Sequence, residues 1–237
     1  MLTPSEVVDP SLDSLPDEAR QALVTHWLRR SQSEWRVGLA FEALEVLGRG
    51  LADSVVLELL RQSAGQELEH ARLCHRLAER YAGSDLPQVV RPEAPLPDFG
   101  TESARLELTF NIVGLCCINE TFATAWLRHC LALARAPLAV AANREHLADE
   151  IDHARLGWAH LASSSVTRQE KLALAQRLPE LIDVNLAQWE AVSNYLPGEA
   201  LPEQGQPSAQ ESSRVLRQAI DGLLLPGFAY VGVTGLA

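Results

Sequence analysis

The chain has 237 residues, of which 47% are hydrophobic, and a formal net charge of −11. This length and composition suit a folded protein with one large domain, or one domain with an extension. The acidic balance, without a basic patch, excludes avid non-specific binding to nucleic acid or anionic lipid. We therefore expect no nucleic-acid partner and no membrane partner.

The N-terminus and the cysteines indicate the compartment. The first twenty residues are acidic and lack an apolar core, so we expect no signal peptide, and no run approaches the length of a membrane span. The cysteines form no C-x-x-C pair, which excludes zinc-ribbon and rubredoxin-type sites. Cys116 and Cys117 lie in an apolar stretch and are predicted to be buried. We expect a cytoplasmic protein.

The first half of the chain predicts an arm, two helices and a loop. Residues 1–16 show no periodicity. Apolar residues at three- and four-residue steps predict helices over 17–47 and 54–82, separated by a turn at Gly48–Asp53 in which Asp53 is a candidate N-cap. Residues 86–100 hold repeated prolines and predict a long crossover loop (Pro87, Pro92, Pro95 and Pro97).

The second half predicts four further helices. The third begins near Thr101–Ser103 and runs to about 134, and the fourth begins at Pro137 and ends before Ser163. A fifth spans 169–195 with a bend expected at Pro179, and a sixth spans 211–225 after a loop at 197–210. The last residues are apolar and expected to be packed. The prediction is an all-α protein, with an arm at 1–16, a four-helix bundle at 17–165 and a C-terminal helical extension at 166–237 packed on it.

Two Glu-x-x-His units are the most informative motif. Residues at i and i+3 share a helix face, so each unit aims a carboxylate and an imidazole at one point. Each unit also follows a lone glutamate by about one helical hairpin. A single unit is more often a solvated polar stripe, but two units with matching upstream glutamates favour a buried metal site. The six candidate metal ligands are Glu34, Glu67, His70, Glu120, Glu150 and His153.

A height comparison supports the pairing of these glutamates. Residues at equal height in an antiparallel hairpin are equidistant from its turn. The midpoint of Glu34 and Glu67 falls at residues 50–51, inside the first turn, and that of Glu120 and Glu150 falls beside Pro137. Glu42 fits less well, but a capping box at Ser31-x-x-Glu34 would place Glu34 at a helix end and favour Glu42. Both glutamates stay candidates for the first helix.

The ligand set, its spacing and the crossover loop resemble the ferritin-like diiron carboxylate superfamily, over about residues 20–163. The resemblance implies a ferritin-like antiparallel four-helix bundle with a long crossover between helices 2 and 3. It also implies that the six candidate residues bind two Fe ions, with Glu67 and Glu150 bridging them and Glu34 and Glu120 terminal. Carboxylate and imidazole ligands leave Mn or a mixed Mn/Fe pair open.

By the same resemblance, the expected function is that of a diiron oxidase or oxygenase. It would use O2 and an external electron donor for hydroxylation, N-oxygenation or desaturation of a small organic or carrier-bound substrate. The C-terminal extension and the apolar residues beside the ligands predict a substrate pocket (Trp27, Val37, Gly38, Phe41, Val113, Cys116, Cys117, Ala123, Thr124 and Leu127). A homodimer through helices 1 and 2 is one expected assembly.

Other functions remain open on sequence grounds. The main alternative is a ferroxidase or iron-storage protein, for which a large shell of subunits would be diagnostic. A rubrerythrin-like peroxidase is disfavoured because the chain has no four-cysteine electron-transfer module. A metal-free bundle is disfavoured because buried carboxylates without a cation are costly.

Several residues near the ligands have two interpretations. Thr124 lies one turn after Glu120, where several diiron monooxygenases place a catalytic threonine, but a core threonine bonded to a backbone carbonyl is the plainer interpretation. His146 and His160 lie on the same helix face as Glu150. Each is either a structural histidine, which is the favoured interpretation, or an extra ligand or proton relay. Asp149 and Asp152 either bond histidine ligands of the other hairpin or lie on a solvated face, and for Asp149 we favour solvation.

Overall fold

The computed structural model describes residue 4 and residues 6–93, 95–193 and 200–234. Helices account for most of them. Within those ranges the only β pairing is an isolated antiparallel bridge between Leu201 and Gln206. The predicted all-α class is therefore confirmed.

The α-helices are numbered in chain order, with π and 3-10 segments named separately. They are α1 (Ser11–Ser14), α2 (Asp17–Gly48), α3 (Ser54–Ala82), α4 (Ala104–Ile112), α5 (Glu120–Leu133), α6 (Pro137–Ala162), α7 (Arg168–Ser193), α8 (Ala209–Ala219) and α9 (Leu225–Tyr230). π-Helical segments occupy Val113–Asn119 and Ile220–Leu224, and Pro202–Gln204 forms a 3-10 turn.

The four long helices that carry the candidate ligands lie where the sequence predicts them. Asp53 is the N-cap residue of α3, although its side chain forms no capping hydrogen bond. Gly83 ends α3 with a φ of 70°, a left-handed conformation that glycine adopts without strain. Pro137 opens α6 at a position that needs no backbone N–H. The described residues of 86–100 form no regular secondary structure, as expected for the crossover.

The structure differs from the predicted helices in detail. The third helix is one helical stretch over 104–133, but its middle is π-helical rather than α-helical. The predicted end of the sixth helix at residue 225 is wrong, because helical structure continues through the π segment Ile220–Leu224 into α9, with Pro226 in the first turn of α9. The N-terminal arm contains the short helix α1. Pro179 lies inside α7 without ending it, and Tyr195, the predicted end of that helix, lies outside the described residues.

Two helical pairs surround the candidate site. The helix α2 packs along α3, α5 and the first π segment pack along α6, and α3 contacts α6. Short connections make both pairs antiparallel. Apolar clusters fill the interior at two levels, one containing Trp27, Cys74 and Ala142, the other containing Phe41, Ala64 and Leu156. On α2, α3 and α6 the candidate ligands lie between these two levels.

The C-terminal helices cover the face formed by α4, the first π segment and α5. The largest apolar cluster joins both parts, with Val113, Cys117, Phe122, Leu174, Leu178, Leu216 and Phe228 among its members. The π segment is therefore covered by the C-terminal helices on one side and packs along α6 on another. The division at residue 165 stays a prediction.

Among the described residues, one helical stretch is long and apolar enough to span a membrane. Ala104–Leu133 has a mean hydropathy of 1.2 over its most apolar window, so the expectation that no run would approach a span was too strict. In that window, however, 72% is buried inside the protein, which is typical of a core helix. The stretch is weak evidence for membrane insertion.

Candidate metal centre

All six predicted ligands are buried side chains of the four long helices. Their exposed fractions are 7% for Glu34, 0% for Glu67, 3% for His70, 1% for Glu120, 2% for Glu150 and 0% for His153. Carboxylates are rarely this buried without a partner. The solvated-stripe interpretation of the two Glu-x-x-His units is therefore wrong.

Five of the six residues converge on one point. Glu67, Glu120, Glu150 and His153 each place a ligand atom within 4.8 Å of the others. Nδ1 of His70 lies 3.6 Å from Oε2 of Glu67 and 3.8 Å from Oε1 of Glu150. We call these five residues the central cluster.

Glu34 lies beside the central cluster rather than in it. Its Oε1 accepts a hydrogen bond of 2.7 Å from Arg30, one turn earlier on α2. Its carboxylate lies within 4.8 Å of ligand atoms of Cys74 and His146. Glu42 is exposed and lies 3.5 Å from Arg91, so of the two candidates only Glu34 faces the interior. Because α2 begins at Asp17, Ser31 caps no helix, and its hydroxyl instead bonds the Ala71 carbonyl.

Hydrogen bonds on the outer side of the two imidazoles fix their tautomers. Nε2 of His70 lies 3.0 Å from Asp149 Oδ2, and a carboxylate only accepts, so this nitrogen donates. Gln66 Nε2 donates to Asp149 Oδ1 at 3.0 Å, which turns Gln66 Oε1 towards Nε2 of His153 at 3.1 Å. That nitrogen therefore also donates. In the neutral form, both histidines present the Nδ1 lone pair to the carboxylates.

The inner atoms of the central cluster lack hydrogen-bond partners among the described residues. They are both oxygens of Glu67, Oε2 of Glu150, and Nδ1 of His70 and His153. Buried polar groups are usually hydrogen-bonded, and an unpaired buried charge costs several kcal/mol. Acceptor atoms that face one another need a cation or protons between them. The donor set of carboxylate oxygens and imidazole nitrogens fits a first-row divalent metal such as iron or manganese.

The pKa directions describe the same need for positive charge. Burial lowers the pKa of His153, but Glu150 and Glu67 outweigh it and raise the pKa to about 10. Burial also lowers the pKa of His70, but contacts with Asp149 and Glu67 outweigh burial and raise the pKa well above its usual value. Burial and the charge of Glu150 raise the pKa of Glu120 well above that of an ordinary carboxyl. The cluster therefore binds protons tightly unless another cation displaces them.

A π-helical segment directly precedes Glu120 of the central cluster. Val113–Asn119 forms the wider turns and Glu120 follows directly. π segments are rare, and many lie at functional sites. Gly157, one turn after His153, makes this packing possible, because a Cβ atom there would lie 2.6 Å from Cys117 Sγ and 2.8 Å from Cys117 N. Cys116 and Cys117 are fully buried, as predicted.

A hydrogen-bond chain ties Glu120 to the C-terminal extension. Asn119 Nδ2 donates to Glu120 Oε1 at 3.0 Å, and Trp189 Nε1 on α7 donates to Asn119 Oδ1 at 2.8 Å. Gln66, Asn119 and Arg30 were not predicted from the sequence. The first two each precede a predicted ligand, but no pattern within one helix indicates which partner on another helix such an amide will meet.

The other residues near the ligands have distinct surroundings. Thr124 donates to the Glu150 backbone carbonyl at 3.2 Å, as a structural threonine does, and its catalytic role stays a prediction. His160 lies 3.4 Å from the Thr109 hydroxyl, outside the central cluster. Asp149 bonds His70 of the other hairpin, so the preference for a solvated Asp149 was wrong. Asp152 is exposed and paired with Arg155 at 2.9 Å.

The expected substrate pocket is filled by side chains. Trp27, Phe41, Val113 and Cys116 are fully buried in apolar clusters. A cavity of about 500 Å³ lies elsewhere, near the C-terminal end of α3, and no residue of the central cluster lines it. The centre is closed in this structure.

The chain was compared with protein-family models, with curated proteins and with solved structures. None of the three comparisons finds a match. The residues of the centre therefore carry the evidence on function: buried carboxylates, inward-facing imidazole lone pairs, and outer hydrogen bonds that hold both rings.

Proposed function

We propose that this protein is a diiron-carboxylate oxidoreductase that uses O2 to oxidise a small organic or carrier-bound substrate, and that α2, α3, α4–α5 and α6 form a ferritin-like bundle around the metal pair. The observation that carries the proposal is the inward orientation of both imidazoles. Nδ1 of His70 and of His153 face the buried oxygens of Glu67 and Glu150, and with both imidazoles neutral these atoms are acceptors without a donor between them.

The ligand chemistry supports iron. Glu34, Glu67, Glu120 and Glu150 supply four negative charges, which balance two divalent ions, and the two histidines add neutral nitrogen donors. Carboxylates on two helices and Glu-x-x-His units on two others form the ligand set of dinuclear iron sites in helical bundles. When bound, iron would supply the redox chemistry that activates dioxygen.

The protein's own residues would orient the ligands and exclude water. Asp149 and Gln66 hold the outer nitrogens of the imidazoles, and Asn119 holds Glu120. Phe41 lies against His153, with ring centroids 5.5 Å apart, and the apolar clusters close both ends of the polar layer. A dry site strengthens electrostatic interactions and protects reactive species from side reactions.

The closed centre favours a second candidate, a ferroxidase that oxidises iron itself. Iron and dioxygen are small enough to reach a buried site through transient openings, whereas an organic substrate needs a larger rearrangement of Trp27, Phe41 or the π segment. The C-terminal extension supports the oxidoreductase, because α7 bonds Asn119 beside Glu120 and so reaches the centre directly.

Oxygen uptake separates the candidates. Protein loaded anaerobically with Fe(II) receives O2 and a chemical electron donor, and consumption is followed with and without a panel of arylamines and acyl-carrier substrates. Repeated turnover that depends on a panel compound supports the oxidoreductase. Uptake that stops after the iron is oxidised, with large assemblies on sizing, supports iron handling. Equal uptake by the wild type and Glu150→Ala would contradict both.

A further inference from the structure

A second group of ligand-type side chains adjoins the central cluster. Glu34, Cys74 and His146 place their ligand atoms within 4.8 Å of one another, and all three are buried. Cys74 lies one turn after His70 on α3, and His146 lies one turn before Glu150 on α6. Each helix that carries a Glu-x-x-His unit therefore carries a further donor on the same face.

The second group is continuous with the first through its histidines. The His70 and His146 ring centroids are 4.6 Å apart. Nδ1 of His146 lies 2.9 Å from the Ala142 carbonyl, which only accepts, so this nitrogen carries the proton. Nε2 of His146 therefore presents its lone pair to Cys74 and to the space beside Glu34.

The spacing of Cys74 and His146 suits two ligands of one ion. Sγ of Cys74 lies 3.4 Å from Nε2 of His146. Metal bonds of about 2.3 Å to sulfur and 2.1 Å to nitrogen place two such ligands about 3.6 Å apart at a tetrahedral angle. A simple S–H···N hydrogen bond also accounts for this distance, and a spectroscopic signature of a metal–sulfur bond distinguishes the two.

Arg30 places a positive charge beside the group, which favours the anionic form of a ligand there. Arg30 donates to Glu34 at 2.7 Å, while its Nη1 is buried without a hydrogen-bond partner among the described residues. The guanidinium lies 5.5 Å from the Trp27 ring centroid and 5.3 Å from that of Trp126. The structure thus keeps a positive charge beside Glu34 at the cost of one unsatisfied donor.

We propose that Cys74 and His146 are ligands of the metal ion on the Glu34 side of the centre. The two ions would then differ: one carries a thiolate and an additional imidazole, and the other is held by Glu120, Glu150 and His153. On binding, the S–H bond of Cys74 breaks, a metal–sulfur bond forms, and the proton leaves to solvent. A thiolate makes this position softer than its partner and favours Fe(II), Co(II) or Zn(II) over Mn(II). This inference rests on the proposed metal centre.

Cobalt tests the inference, because thiolate-bound Co(II) shows an intense near-ultraviolet charge-transfer band that oxygen and nitrogen ligands do not give. Metal-free protein is titrated with Co(II), and bound cobalt is measured alongside absorbance. We expect about two Co(II) per chain and a sulfur band in the wild type. The band should disappear in Cys74→Ser and persist in Cys130→Ser, a buried cysteine outside the ligand group.

The failures of the two proposals are distinguishable. Two bound Co(II) per chain without a sulfur band overturn ligation by Cys74 and leave the dinuclear centre intact. No bound cobalt overturns both. If Cys74→Ser does not fold, a wild-type spectrum without the band still overturns ligation by Cys74. For His146, the variant His146→Gln should lower the affinity for one of two cobalt ions at least tenfold, and unchanged affinity for both would exclude it as a ligand.

Discussion

Oε1 of Glu67 lies 2.9 Å from Nδ1 of His153, and with the imidazole neutral no hydrogen bond joins them. The reason lies on the far side of the ring, where Nε2 faces Gln66 Oε1 at 3.1 Å and therefore carries the proton of the neutral tautomer. Glu67 and His153 consequently face each other as two acceptors. Such a pair is stable when a proton or a metal ion lies between them.

Metal binding at pH 7 should therefore release protons. Since Glu150 and Glu67 raise the pKa of His153 to about 10, and the pKa of His70 is also raised, both imidazoles are protonated in the metal-free protein. We expect at least about two protons per chain to be released at pH 7, and the affinity to rise as the pH increases from 7. Calorimetric titration in buffers of different ionisation enthalpy measures the release. Heats independent of the buffer would contradict this account.

Gln66 should act on the metal through His153. Gln66→Leu removes both the acceptor for His153 and the donor to Asp149, so neither ring is held as before. We expect the affinity for Co(II) to fall about 10- to 100-fold with little change in helix content. Gln62→Leu, one turn earlier on the exposed face of α3, is the matched control and should bind as the wild type does. Equal affinities for the two variants would show that Gln66 does not position the ring.

Helix positions were predictable from periodicity and boundary residues, whereas the π segment and contacts between helices were not. Periodic apolar residues with Gly48, Gly83 and Pro137 as boundaries located α2, α3 and α6, and the height comparison chose Glu34 over Glu42. The π segment was missed because its apolar residues fit an α-helix equally well. Asp149 was misjudged because it lies at the edge of its helix face: its side chain is 34% exposed and still reaches His70 on another helix.

Gly157 should be required for the close approach of α6 to the π segment. In Gly157→Ala, the new methyl group would meet Cys117 backbone and side-chain atoms at less than 3 Å. We expect a loss of about 1–3 kcal/mol in the free energy of unfolding. Gly65→Ala on α3 has open space and should instead gain about 0.5–1 kcal/mol through helix propensity. Urea unfolding measures both, and equal stabilities for the two variants would refute the contact.

His160 should contribute to acid sensitivity. Burial lowers its pKa to about 4, so the folded protein keeps it neutral while the unfolded chain binds a proton below about pH 6.5. Stability should therefore fall as the pH drops from about 6.5 to 4, with no contribution above that range. We expect His160→Gln to reduce the loss between pH 7 and 4.5 by about 2 kcal/mol. Parallel pH profiles of the two proteins in urea unfolding would exclude this role.

The central claim is that the buried carboxylates and imidazoles hold two metal ions, and anaerobic Fe(II) titration of metal-free protein tests it most directly. Iron bound per chain is measured for the wild type, Glu120→Ala, Glu150→Ala and the exposed control Glu42→Ala. The account predicts saturation at about two irons per chain for the wild type and Glu42→Ala, and loss of the pair in the other two. Two irons retained by both Glu120→Ala and Glu150→Ala, or none bound by the wild type, would contradict it.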